Sequence, residues 1–159
     1  MTGARAVVVG VGNDYRRDDG IGPAVARAVE KLCLPGVLAT ICDGEPTGLL
    51  DAWAGADLAV VVDAVLCEPA TPGRIWLTTA ASSHALGIPD AVPLGAVLGR
   101  LPREIVVVAV EAQTLELGAG LSDRVAAALP EAIRVTMREV ERVRTAPASA
   151  GHDTGSDTM

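Results

Sequence analysis

Phenylalanine is absent from this chain; tyrosine occurs once and tryptophan twice in 159 residues. A core without large rings must be packed from Ala, Val, Leu and Ile. Those residues suit strands buried on both faces, with small-residue helices lying close against them. Lysine is nearly absent too, since Lys31 stands alone among thirteen basic residues, and the formal net charge is -7. An acidic chain without a basic stripe does not fit nucleic acid or an anionic membrane surface, so neither partner is expected. No apolar run reaches the ~18 residues that span a bilayer. The apolar stretch after Arg5 runs straight into a glycine loop, unlike the layout of a signal peptide, which leads to an expected cytoplasmic location. Cysteine is scarce and odd in number: Cys33, Cys42 and Cys67 form no Cys-x-x-Cys pair. Neither a disulfide scaffold nor a zinc ribbon is expected on that count, and reduced thiols are. Histidine occurs twice, as His84 and His152.

Half of the residues are hydrophobic, enough for a sizeable core. Their pattern alternates between two periods. Ala4 to Val11, Val37 to Cys42, Leu58 to Val65, Arg74 to Thr78 and Ile105 to Val110 read as strands. Ile21 to Leu32, Leu49 to Ala56, Pro93 to Leu101 and Leu121 to Val143 read as helices, the last opened by Ser122 as N-cap and kinked or split by Pro130. The expected fold is an α/β three-layer sandwich: a twisted, mostly parallel sheet of about five strands with helices on both faces. The short fourth strand follows the third through a turn, so it is expected to run antiparallel or at an edge. Residues 1–144 form a single domain on this reading. The small, polar, aperiodic stretch 145–159 is expected to be a disordered tail.

Ligands of open α/β sheets bind at the carboxyl ends of the strands. This chain crowds those ends with acid. Asn13, Asp18 and Asp19 follow the first strand, and Asp43, Glu45 and Thr47 follow the second. Asp63 interrupts the apolar run of the third. His84 follows the fourth, and Glu111 and Gln113 follow the fifth. A carboxylate inside a strand is costly unless paired or bound to a cation, which makes Asp63 the most informative of them. Asp18 or Asp19 taken alone also fits a helix-start cap, and His84 alone fits a surface loop. Together, Asp19, Asp63 and His84 make a three-ligand set for a borderline transition metal, with positions left open for water or substrate.

The stretch "GVGNDYRRDDGIG" resembles the strand-end pattern of the endopeptidases that mature the large subunit of nickel–iron hydrogenases. "DGEPTGLL", "VVVDAV", "SSHALGI" and "VEAQTLELGAGLSDRV" follow in that family's order. The resemblance implies an enzyme that cuts the C-terminal extension from a hydrogenase large-subunit precursor after nickel insertion. It also implies that nickel arrives on the precursor and is not tightly resident in the enzyme. The family's metal-contacting residues fall on Asp19, Asp63 and His84, which the resemblance makes the catalytic set. Asp18 is a candidate base beside them, and Asn13, Gly44 and Glu45 are candidate substrate contacts. One loop departs: where the family usually has Asp-Gly-Gly-Thr, this chain has Asp43-Gly44-Glu45-Pro46-Thr47.

Two rivals use the same residues differently. A nickel-binding chaperone for hydrogenase assembly could hold the precursor through the same three ligands without cutting it. A dinucleotide domain built on Gly10-x-Gly12 lacks the third glycine, and its carboxylates would repel a pyrophosphate.

Overall fold

The computed structural model describes residues 6–79 and 101–144. Five strands form one sheet: β1 (Ala6–Val11), β2 (Val37–Cys42), β3 (Leu58–Val65), β4 (Ile75–Thr79) and β5 (Glu104–Glu111). Their order is β2-β1-β3-β5-β4. Four strands run parallel, and β4 pairs antiparallel with β5 at the edge.

The Val-rich strands bury alternate residues in two separate cores. Ala6, Val8, Val60, Val62, Val106 and Val108 face α1 (Ile21–Lys31) and α3 (Asp123–Arg144). Val7, Val9, Ala59, Val61, Val107 and Ala109 face α2 (Pro46–Trp53). Helices therefore cover both faces, as the double burial of the strands requires. Trp53, fully buried, is the largest side chain of the second core.

The backbone of α1 almost touches the sheet. A Cβ at Gly22 would lie 2.5 Å from the carbonyl oxygens of both Val11 and Val62. Only glycine permits that approach. It brings the start of α1, and the turn before it, directly over the ends of β1 and β3.

Two element boundaries differ from the sequence reading. The helix expected over Leu49–Ala56 starts earlier, at Pro46, because proline at the first helical position gives up no hydrogen bond. Of the kink or split expected at Pro130, the split does not occur: the helix is one continuous element of 22 residues. Val125 lies buried on one side of Pro130, and Ala132, Val135, Thr136 and Val140 lie buried on the other. Burial at about 1.5–3 kcal/mol per large apolar side chain outweighs the ~3 kcal/mol that an internal proline costs. The helix expected over Pro93–Leu101 lies almost wholly outside the described residues, as does the tail 145–159.

Candidate active site

The site grows from the end of β1. Gly12, at φ 147°, turns the chain out of the sheet, and a Cβ there would sit 1.9 Å from the carbonyl oxygen of Asp19. A loop then closes on itself. The Arg16 N–H donates to the Asn13 carbonyl at 3.1 Å, and the Asp19 N–H donates to the Arg16 carbonyl at 3.0 Å. A 3-10 turn, Arg17–Gly20, carries the two aspartates into α1. The sequence places Asp18 and Asp19 side by side, but the turn sends them to different environments.

Asp19 is half-buried, and one of its carboxylate oxygens accepts the Asn13 N–H at 2.8 Å. Asp63 stands near the end of β3, where its side chain accepts the N–H of Ala64 at 2.8 Å. Burial pushes the Asp63 carboxyl up to about 7; the Ala64 N–H opposes this, and the negative charge of Asp19 adds to it. The two carboxyl groups thus feel each other across the mouths of β1 and β3. Two negative charges so placed are eased by a proton on Asp63 or by a cation nearby.

Asp18 requires a correction to its reading as a base. Its side chain is fully buried and accepts four hydrogen bonds. The donors are the N–H groups of Gln113 (2.8 Å), Thr114 (3.2 Å) and Ser122 (2.7 Å) and the hydroxyl of Ser122 (2.9 Å). Burial alone would raise this carboxyl, yet the hydrogen bonds from Ser122, Gln113 and Thr114 hold it below the ordinary aspartate value. A carboxylate so buried and so bonded lacks both the access to substrate and the basicity to take a proton. It instead fastens the Asp19 turn to the chain after β5 and to the start of α3. Ser122 does precede α3, as expected, and its carbonyl accepts the Ala126 N–H at 2.8 Å, but its hydroxyl serves Asp18.

Glu111 is an anchor of the same kind. It is buried, accepting the Thr71 N–H at 2.6 Å and the indole N–H of Trp76 at 2.7 Å, and these bonds keep its carboxyl low. The Arg74 guanidinium lies 4.2 Å over the Trp76 ring. All three cysteines are free thiols. Burial pushes both Cys42 and Cys67 up from the ordinary thiol value, and neighbouring carboxylates add to the effect. Neither is a thiolate nucleophile near neutral pH.

In the departing loop, the Glu45 N–H donates to the Asp43 side chain at 3.1 Å and Gly44 adopts φ 95°. Glu45 is exposed at the start of α2, and Asn13 is exposed beside Asp19. His84 lies outside the described residues. Among the described residues, no group of three or more His, Cys, Asp or Glu side chains is placed to hold a metal ion. The described part of the site therefore supplies the two carboxylates.

The raised Asp63 carboxyl makes stability depend on pH. The folded chain holds this proton up to about pH 7, whereas an unfolded aspartate releases it near pH 4. The folded state therefore loses stability as pH rises through that window. Asp63→Asn is expected to flatten this slope, gaining on the order of 2 kcal/mol relative to wild type between pH 5 and pH 8 after allowing for water at the half-buried group. Denaturant melts at the two pH values measure it; parallel slopes for both proteins would show that Asp63 ionises normally.

Comparison with known proteins agrees with this geometry. The family model described as hydrogenase maturation protease matches residues 40–139, more than half of the chain. The hydrogenase 2 maturation protease of Escherichia coli is 28% identical over 163 residues, covering 94% of this chain and 99% of that one. The structure of the hydrogenase maturating endopeptidase HybD from E. coli superposes with a TM-score of 0.71 at 25% identity, over 87% of this chain and 93% of that one. A hydrogenase 2 maturation peptidase from a Thaumarchaeota archaeon gives 0.66 at 25% identity, over 86% and 97%.

Proposed function

Because this chain belongs to the hydrogenase maturation protease family, we propose that it removes the C-terminal extension of a nickel–iron hydrogenase large-subunit precursor after nickel insertion. The observation that carries the proposal is the coupled pair Asp19 and Asp63, held over the ends of β1 and β3. In this reading nickel is part of the substrate. It arrives on the precursor, and Asp19, Asp63 and His84 complete its coordination. Asp63 holds a proton up to about pH 7, so it can exchange that proton for a cation under ordinary conditions. Held there, the ion would supply Lewis-acid polarisation of the scissile carbonyl or acidify a water; the water's oxygen would end on the carbonyl carbon and a proton on the amine released as the C–N bond breaks. Asn13, Gly44 and Glu45 flank the approach on the β1 and β2 loops and are assigned to the substrate chain. Asp18 has no part in proton transfer, for the reasons given above.

The test is incubation with the precursor, nickel-loaded and nickel-free, read as a mobility shift on a gel. Only the loaded precursor is expected to shorten. A loaded precursor that binds but keeps its length would favour the assembly-chaperone reading, and equal cleavage of both forms would remove nickel from the mechanism.

A further inference from the structure

The two most exposed large apolar side chains among the described residues are Leu117 (82% exposed) and Tyr15 (72%). They lie far apart in sequence, but their segments pair. Arg16 and Gly118 form a parallel bridge, in which the Gly118 N–H donates to the Tyr15 carbonyl and the Arg17 N–H to the Gly118 carbonyl, both at 2.9 Å. That register sets Tyr15 level with Leu117. The Tyr15 N–H is itself tied to the Asn13 side chain at 2.8 Å.

This rim is braced. The Arg16 guanidinium donates to the Leu115 carbonyl at 3.1 Å and that of Arg17 to the Ala119 carbonyl at 3.4 Å. The buried Asp18 carboxylate fastens the same two segments from below. Scattered apolar side chains on a surface need no explanation. Two set level on paired loops, whose backbone is held by backbone and arginine hydrogen bonds, present an apolar surface for which the backbone part of the conformational cost of binding is already met. The rim also shares its loop with Asp19: Asn13 takes the Tyr15 N–H on its side chain and gives its own N–H to the Asp19 carboxylate, so a substrate held at Asp19 lies next to the loop that carries Tyr15.

We propose that Tyr15 and Leu117 form the docking rim for an apolar surface on the folded hydrogenase large-subunit precursor, beside the point where its C-terminal extension leaves the fold. The proposal rests on the functional reading above. The rim supplies ground-state affinity, and the carboxylates supply the chemistry. Removing the rim therefore weakens capture without slowing the cut.

The test is steady-state processing of nickel-loaded precursor by the double variant Tyr15→Ser/Leu117→Ser, by Tyr15→Phe, and by Leu38→Ser. Leu38 is 59% exposed on β2, away from this loop. The double variant is expected to raise KM roughly tenfold with kcat within about twofold. Leu38→Ser should keep the wild-type KM, and Tyr15→Phe, which keeps the ring, should raise it far less than the double variant. Because both rim side chains are exposed, melting curves should coincide and separate binding from folding. An unchanged KM in the double variant, an equal rise in Leu38→Ser, or a fall in kcat alone would overturn the proposal while leaving the protease reading in place. If wild type leaves the loaded precursor whole, it is the protease reading that fails.

Discussion

Asp19→Asn is expected to slow processing of nickel-loaded precursor by roughly a hundredfold or more while leaving the protein folded. The substitution keeps the side chain's shape, and the amide oxygen can still accept the Asn13 N–H that Asp19 accepts at 2.8 Å. The turn therefore survives. Asp19 is only half-buried, and substitutions at such positions usually change stability by about 0.5 kcal/mol. What is lost is the negative charge. An amide is a poor ligand for a divalent cation, and without the Asp19 charge the Asp63 carboxyl loses one of the causes that raise it. The variant should thus show lower cleavage, weaker capture of the loaded precursor and an unchanged melting curve. Cleavage at the wild-type rate would mean that Asp19 only closes the turn.

Asp18→Ala should behave in the opposite way, as a loss of stability. It would strand the N–H groups of Gln113, Thr114 and Ser122 in a part-buried setting. Each unsatisfied buried donor costs about 1–3 kcal/mol, partly relieved where water can enter, so a loss of roughly 3–4 kcal/mol is expected. For a domain of this size that lowers Tm by about 8–12 °C. Asp18→Asn should fall between the two, because it keeps one acceptor oxygen but turns an NH2 group toward donors. The pH dependence gives an independent check. The folded Asp18 carboxyl is held below the ordinary value, so its contribution is full above roughly pH 4 and is lost as pH falls through its folded value. The gap between wild type and Asp18→Ala should therefore narrow in acid. A stable Asp18→Asn protein that no longer cuts would restore Asp18 as a base.

These two neighbours show where reading the chain stops. Both precede a helix, both are acidic, and both lie in the stretch that resembles the family's strand-end pattern, so nothing in "RRDDGIG" separates an anchor from a working carboxylate. The separation needs Gln113, Thr114 and Ser122, about a hundred residues away, to deliver their donors to one side chain and not the other. Glu111 carries the same lesson. At the end of β5 it looks like one more site carboxylate, until the Thr71 N–H and the Trp76 indole close around it.

The sequence by itself determined the sheet and its polarity of function. Runs of valine bounded by Gly, Pro and Asp mark β1, β3 and β5, which are buried on both faces, whereas β2 is only partly covered. The turn between β3 and β4 leaves too little chain for a crossover helix, which pointed to an antiparallel or edge strand; β4 is both, and it pairs with β5 and not with β3. Asp63 stood out because a carboxylate inside such a run carries a desolvation cost that needs a reason. The tertiary structure alone decided which carboxylates remain available, because availability depends on donors from distant segments. It also decided that α3 runs through Pro130, because the burial that outweighs the lost hydrogen bond comes from the sheet beneath it. Finally, it set Tyr15 beside Leu117, since register between loops 102 residues apart is fixed by backbone pairing and not by any local pattern.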